Sequence, residues 1–372
     1  MTSGHYNRWW LGTVLALCLM QVAMAVITDP YCVFGVIRYP KRNFEPNTRF
    51  LKIEYLRRHP EYDAFILGSS RAAYYGADIA ERLCPGDQQY FNLSVSLENG
   101  AGIRRKLKWL IAHRRVSQAI LNLDFDVQSV ATDPLDLLRQ DHPLVSGTPA
   151  TVFYGKYLLF QPRILYAFAL ANLRESQGAP WSFGNVVAPD ALYPAQPFLD
   201  LSRLYDVTFG ALASDLSRSA EARDIVSPIG LEEFRRTIAL LDGAGVSRTL
   251  IVPPYRVDQF ARFQIDGFIS WLQETVRVGG TVWDFSGLSS VTGNLDNYVD
   301  PVHFRRSVGD RVLQRIFGPD DKSPTAEEFG VRVTAANIDR HAEALRRQHA
   351  EANAMAAPRP RAPSRANPEG PE

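Results

Sequence analysis

Cysteine and net charge are both scarce in this chain, and each shortage removes a class of function. Three cysteines, Cys18, Cys32 and Cys84, are spread over 372 residues, and none falls in a C-x-x-C or Cys/His spacing that would hold zinc. No metal or other cofactor is expected. Cys18 lies in an apolar N-terminal run, so only Cys32 and Cys84 are left to pair in an oxidising compartment; two free, buried thiols are the simpler reading. The 41 basic and 40 acidic side chains leave a net charge of +1, and no basic stripe interleaves with aromatics, which argues against a nucleic-acid partner. Internal repeats are absent too.

What the chain has is apolar content. Hydrophobic residues at 46% against 22% charged suit a protein that buries a large core and not a disordered one. One folded α/β domain with appendages fits this length.

From Trp9 to Ile27 the sequence WWLGTVLALCLMQVAMAVI carries no charge. As a helix it spans about 28 Å, close to the ~30 Å hydrocarbon core of a bilayer. Residues 9–27 are therefore read as a transmembrane signal-anchor after a short tail, 1–8. Ala23-Met24-Ala25 also fits a cleavage site, which keeps a removed signal peptide open as the alternative. Arg38, Lys41, Arg42 and Arg49 follow the run while only Arg8 precedes it; loop charge thus favours the following segment inside, but that rule is weak for a large domain after one span. The expectation is a single-pass protein of the cytoplasmic membrane with its domain exported.

The pattern then alternates. Residues 28–62 read as a connector with a basic surface helix over 44–58. Strands are predicted at Asp63–Leu67, Gln89–Ser94, Gln118–Asp124, Arg248–Val252 and Thr281–Phe285, the last of them. Helices are predicted at Ala72–Leu83, Gly102–His113, Leu231–Leu241, Gln264–Val276 and Ser307–Ile316. Such alternation indicates a mainly parallel sheet covered on both faces, here over residues 63–318. It lapses from 133 to 228, a proline- and aromatic-rich helical insertion with helical spacing around Tyr157–Leu173, which serves either as a lid or as a second packing layer. Residues 319–350 form a helical extension, and 351–372 a disordered tail.

Two motifs carry chemistry. Gly68-Ser69-Ser70-Arg71 joins a strand to a helix, where open α/β sheets bind ligands. A serine there acts as a nucleophile or simply as a helix cap. Asp300-Pro301-Val302-His303 precedes a late helix. Its histidine can take a serine proton while the carboxylate orients the ring, or both residues merely cap.

These motifs together resemble the SGNH, or GDSL-like, hydrolase superfamily, in its membrane-anchored branch of bacterial envelope proteins, from about Ile27 to Phe317. Asn92-Leu93-Ser94-Val95-Ser96 and Leu123-Asp124-Phe125 match that branch's strand ends. The resemblance implies a three-layer α/β sandwich similar to flavodoxin, with Ser70 as nucleophile and Asp300 and His303 completing the triad. Gly68, Ser69, Arg71, Asn92, Ser96, Leu97 and Asp124 then form the oxyanion and substrate region. The chain departs from the family twice: Leu97 stands where a glycine donates its amide, and Asp124 where an asparagine donates its side chain. A carboxylate cannot donate to an oxyanion, and one donor is worth roughly 3 to 4 kcal/mol of barrier. Asn92, Asn99 or Arg71 are the candidate substitutes. The implied function is serine-dependent acyl chemistry on an envelope glycan, by transfer or by hydrolysis, with an acylated glycan or acyl donor as partner. A non-catalytic binding or assembly protein, with a protein partner, is the rival.

Overall fold

The computed structural model describes residues 3–28, 33–34, 48–126, 141–159, 227–319 and 329–356. In chain order these form α1 (Ser3–Thr28), α2 (Thr48–Arg58), β1 (Ala64–Leu67), a 3₁₀ turn (Ser70–Tyr74), α3 (Ala77–Leu83), β2 (Tyr90–Asn92), α4 (Gly100–His113), β3 (Gln118–Asn122), α5 (Pro143–Ser146) and α6 (Ala150–Leu159). There follow α7 (Pro228–Gly243), β4 (Ser247–Val252), α8 (Val257–Phe260), α9 (Ile265–Gly279), β5 (Val282–Asp284), α10 (Arg306–Phe317), β6 (Val331–Val333) and α11 (Ile338–Ala356).

The six strands form one sheet in the order β2-β1-β3-β4-β5-β6. All pairs are parallel except β5 with β6. The protein is thus α/β, with a mostly parallel mixed sheet. Because side chains alternate along a strand, β1 feeds two cores. Phe65 and Leu67 face a cluster with Leu107 and Leu110 of α4, Leu241 of α7, Leu272 of α9 and Leu345 of α11. Ala64 and Ile66 face another with Ala80 of α3 and Val308, Val312 and Leu313 of α10. Burial on both faces explains the near-continuous apolar strands, and each fully buried Leu, Ile or Phe contributes about 1.5–3 kcal/mol. Strand order reverses between β1 and β3, and open sheets present their ligand crevice outside the strand ends at such a point.

Four expectations need correction. The tail 1–8 is not separate, since α1 is helical from Ser3 and the apolar stretch long enough to cross a membrane runs His5–Ile27. The surface helix expected over 44–58 is a core element: Phe50, Leu51, Ile53 and Leu56 of α2 are buried, and so are Arg49 and Lys52. Charge content misled there, because the cations are matched by partners far away in sequence. Thr281–Phe285 does not hold the last strand, and the expected disordered tail does not begin at 351, because α11, the helix of the extension, runs on to Ala356. β6 adds to the sheet edge antiparallel, and α11 docks Ala342 and Leu345 in the core while His341 Nε2 meets Asp284 Oδ2 at 2.7 Å. A three-residue strand in a charged context has too little periodicity to read. Of the insertion, α5 and α6 are described; residues 133–140 and 160–226, with most of the helical spacing read around Tyr157–Leu173, lie outside the described residues, as do Cys32 and residues 357–372 of the expected tail. Cys84 is a free, buried thiol.

Candidate active site

The turn after β1 requires glycine. Gly68 has φ of 153°, and a Cβ there would stand 2.7 Å from Cβ of Asn122 and 2.8 Å from Cβ of Ala72. The chain therefore passes against β3 and turns into the 3₁₀ segment with Ser70 at its first position. Ser69 occupies the N-cap without capping; its hydroxyl donates to Asp124 Oδ2 at 2.6 Å. The Ser70 side chain is free to face the late loop, and Ser70 is half-buried.

That loop is built by its own residues. Tyr298 and Phe304 form an antiparallel bridge, with Val299 N donating to His303 O at 2.9 Å. Inside it, Asp300 Oδ1 accepts the amides of Val302 and His303 at 2.7 and 2.8 Å. Asp300 Oδ2 meets His303 Nδ1 at 2.7 Å, and His303 Nε2 meets Ser70 Oγ at 2.7 Å. A carboxylate only accepts, so Nδ1 carries the proton and Nε2 is left to accept from the serine hydroxyl. Burial opposes charge on Asp300, but the His303 contact and the two amides outweigh it and hold the carboxyl below its ordinary range. The bridge buries Phe304 against Tyr74 and Tyr75, which fixes the loop to the serine turn.

Both carboxylate oxygens of Asp124 are engaged by neighbouring side chains. Besides Ser69, it accepts from Asn122 Nδ2 at 2.7 Å and from Arg71 Nη1 at 2.7 Å. Arg71 is buried, lies 4.8 Å over the Tyr255 ring, pairs with both oxygens of Asp126 at 2.8 and 2.9 Å, and donates through Nε to Val302 O at 3.1 Å. Desolvation opposes its charge, yet Asp126 and Asp124 hold the guanidinium pKa well above its usual value. Arg71 thus ties together the ends of β1 and β3 and the histidine loop. Sequence reasoning named Arg71 and Asp124 but missed Asp126 and Tyr255. No periodic signal marked Asp126, since β3 ends at Asn122 and residues 125–126 form a turn.

The structure takes Asn92 out of the set of substitute donors. Both hydrogens of its amide are spent on Ala72 O and Tyr75 O, at 2.8 and 3.0 Å, and its oxygen accepts from Ser94. Asn99 caps α4 through its side-chain oxygen. Backbone donors are treated differently. Val95 N donates to Gly68 O at 3.2 Å and seats the following loop beside the serine turn. In that loop Leu97 has φ of 54°, the only positive φ outside glycine among the described residues. A side chain in this conformation costs on the order of 1–2 kcal/mol. The backbone adopts a glycine's conformation without a glycine.

Remote cations hold it there. Lys52 Nζ donates to Asn92 O and Ser94 O at 2.8 and 2.6 Å, and Arg49 Nη2 to Ser96 O at 2.8 Å. Arg49 also pairs with Glu98, which meets Lys106, and Asp141 joins Arg49, Arg105 and Lys106. Burial opposes the Asp141 charge, but these three cations hold its carboxyl far below the usual range. A cavity lined by Glu98, Ile103, Asn122, Asp124, Phe234 and Trp271 lies among β3, α4, α7 and α9, and neither Ser70 nor His303 lines it. Among the described residues no group of three His, Cys, Asp or Glu side chains is placed to hold a metal.

The chain matches none of the family models and none of the curated proteins against which it was compared.

Proposed function

We propose that this chain is an SGNH-type protein, tethered to the cytoplasmic membrane by α1 with its domain on the outer side, that performs serine-dependent acyl chemistry on a cell-envelope glycan. The observation that carries the reading is the unbroken contact from Ser70 Oγ through His303 to Asp300, two links of 2.7 Å each. The order β2-β1-β3-β4-β5 with helices against both faces supports the three-layer, flavodoxin-like arrangement that the resemblance implies.

In the first step Ser70 Oγ attacks the acyl carbonyl as its proton passes to His303 Nε2; the tetrahedral intermediate collapses, and the departing sugar oxygen takes that proton. The acyl-serine ester is then intercepted by a second sugar hydroxyl, which gives transfer, or by water, which gives hydrolysis. Asp300 keeps the imidazole in the accepting tautomer and stabilises its cation. Charge on the intermediate falls to backbone amides of the Ser70 turn and the Leu97 loop, since Asp124 and Asn92 offer no donor.

That last point also favours a second reading, a non-catalytic binding or assembly protein that keeps the fold. Labelling with a fluorophosphonate probe separates the two. The acyl-chemistry reading expects covalent modification of the full chain in detergent, lost in Ser70→Ala and in His303→Ala. A folded wild-type chain that takes no label sinks it and leaves the binding reading.

A further inference from the structure

α1 does not stand clear of the rest of the molecule. Most of it is exposed, with Leu11, Leu15, Leu17 and Leu19 showing 54 to 61% of their surface. Its C-terminal end differs. Gln21, Val22 and Val26 are half-buried and Ala25 is fully buried, and the element packed along α1 is α6. Beyond the span the chain returns to the same helix, where Phe34 lies 5.9 Å from the Tyr154 ring and 5.6 Å from the Tyr157 ring. On its other side α6 is anchored to the body, with Phe153 stacked 5.4 Å from Phe50 of α2.

This placement fixes a depth. Gln21 to Ala25 lie inside the apolar stretch His5–Ile27, within about 9 Å of its end at the helical rise. A helix packed there is level with the boundary between acyl chains and headgroups, where interfacial helices sit roughly 5–10 Å deep. The composition of α6 agrees: ATVFYGKYLL has one charge, Lys156, and two tyrosines, and Val152 is 45% exposed. Tyr157 is buried and Tyr154 half-buried against Phe34, so the exposed part of the helix is apolar around Val152, and a lysine can run its stem through apolar surroundings to the headgroups.

We infer that α6 is a membrane-seated helix, whose outward face around Val152 lies on a lipid surface. The inference rests on the reading of α1 as a span and is independent of the chemistry at Ser70. It makes the start of the insertion a second point of attachment, so that the α/β body is held to the bilayer at α6 and does not swing on a linker after α1.

The test uses the full chain with Cys18, Cys32 and Cys84 replaced by alanine, reconstituted in vesicles of phosphatidylcholine and phosphatidylglycerol, with an environment-sensitive fluorophore on a single new cysteine. Val152→Cys and, as a second exposed site beside it, Thr151→Cys should give blue-shifted emission that is quenched by spin-labelled lipid and not by aqueous iodide. Leu15→Cys reports the span itself, and Ile229→Cys, 77% exposed on α7, reports water. If both α6 sites behave like Ile229→Cys while Leu15→Cys reads as lipid, the seat is overturned and the anchor stands. An aqueous signal from Leu15→Cys as well overturns the anchor and the seat together.

Discussion

The two loops beside Ser70 are stabilised in opposite ways. From Asp300 to His303 the carboxylate shapes the loop from within, over separations of two or three residues, with Arg71 Nε on Val302 O as a tie from outside. From Ser94 to Glu98 the backbone is gripped by Lys52 and Arg49, at separations of 42 and 47 residues, and it contains a strained leucine. A self-contained loop keeps its geometry wherever the fold delivers it. A loop in a disfavoured conformation persists only where its surroundings over-determine it, so its geometry depends on α2 and on the buried charges around Glu98.

The sharpest break of this contrast is at the autonomous loop. Asp300→Asn keeps the steric fit but removes the acceptor that sets the imidazole tautomer, so the labelling rate by a fluorophosphonate should fall by roughly 10⁴ with the fold retained. Its pH signature has a definite sign. The Asp300 carboxyl sits below its reference value of 3.8, so its contribution to stability is present above that value and is lost as pH falls through the native one. Melting curves of wild type and Asp300→Asn should therefore differ at neutral pH and converge in acid; a gap that widens in acid contradicts the assignment.

At the dependent loop the effect should appear first as stability. Lys106→Met leaves Glu98 and Asp141 buried with one cation fewer, and chemical denaturation should register a loss of about 3–5 kcal/mol. Lys52→Met strands two carbonyls at a cost of about 1–3 kcal/mol for each unpaired group. It should also slow labelling, while Lys106→Met with its more distant contact slows it less. Equal labelling by Lys52→Met and wild type would detach the Leu97 loop from the chemistry. The smallest effect is expected of Leu97→Gly, which relieves the backbone and should raise stability by up to about 1 kcal/mol, some of the gain being offset by glycine's greater freedom when unfolded.

The same contrast explains what could be read from the sequence. Gly68-Ser69-Ser70 and Asp300-Pro301-Val302-His303 are contiguous and locally shaped, and the structure brings Ser70, His303 and Asp300 into one line of hydrogen bonds. The five strands placed from hydrophobic runs are all present, because burial on both faces writes a continuous apolar signal. Arg49 and Lys52 gave no such signal. Their partners are backbone carbonyls at Asn92, Ser94 and Ser96 and carboxylates at Glu98 and Asp141, so on the page they look like a solvated basic helix. Asp124 read as a missing donor because its partners Ser69, Asn122 and Arg71 are united only by the return of β3 beside β1. Short β6 escaped for a third reason, since Val331–Val333 has one fully buried side chain and takes its place only through pairing.

β6 also carries a consequence for the order of assembly. β5 is the last parallel strand, and its outer edge is covered by a segment that follows it by nearly fifty residues. During synthesis the sheet stays open at that edge until Val331 to Val333 have emerged, with unpaired amides and carbonyls of the kind that recruit foreign strands. Asp284 waits longer still, 57 residues, for His341, its buried partner. A ribosome that stalls after Gly318 releases a chain whose serine, histidine and aspartate motifs are all complete but whose sheet is unsealed, and such a product should be found among aggregates and protease fragments.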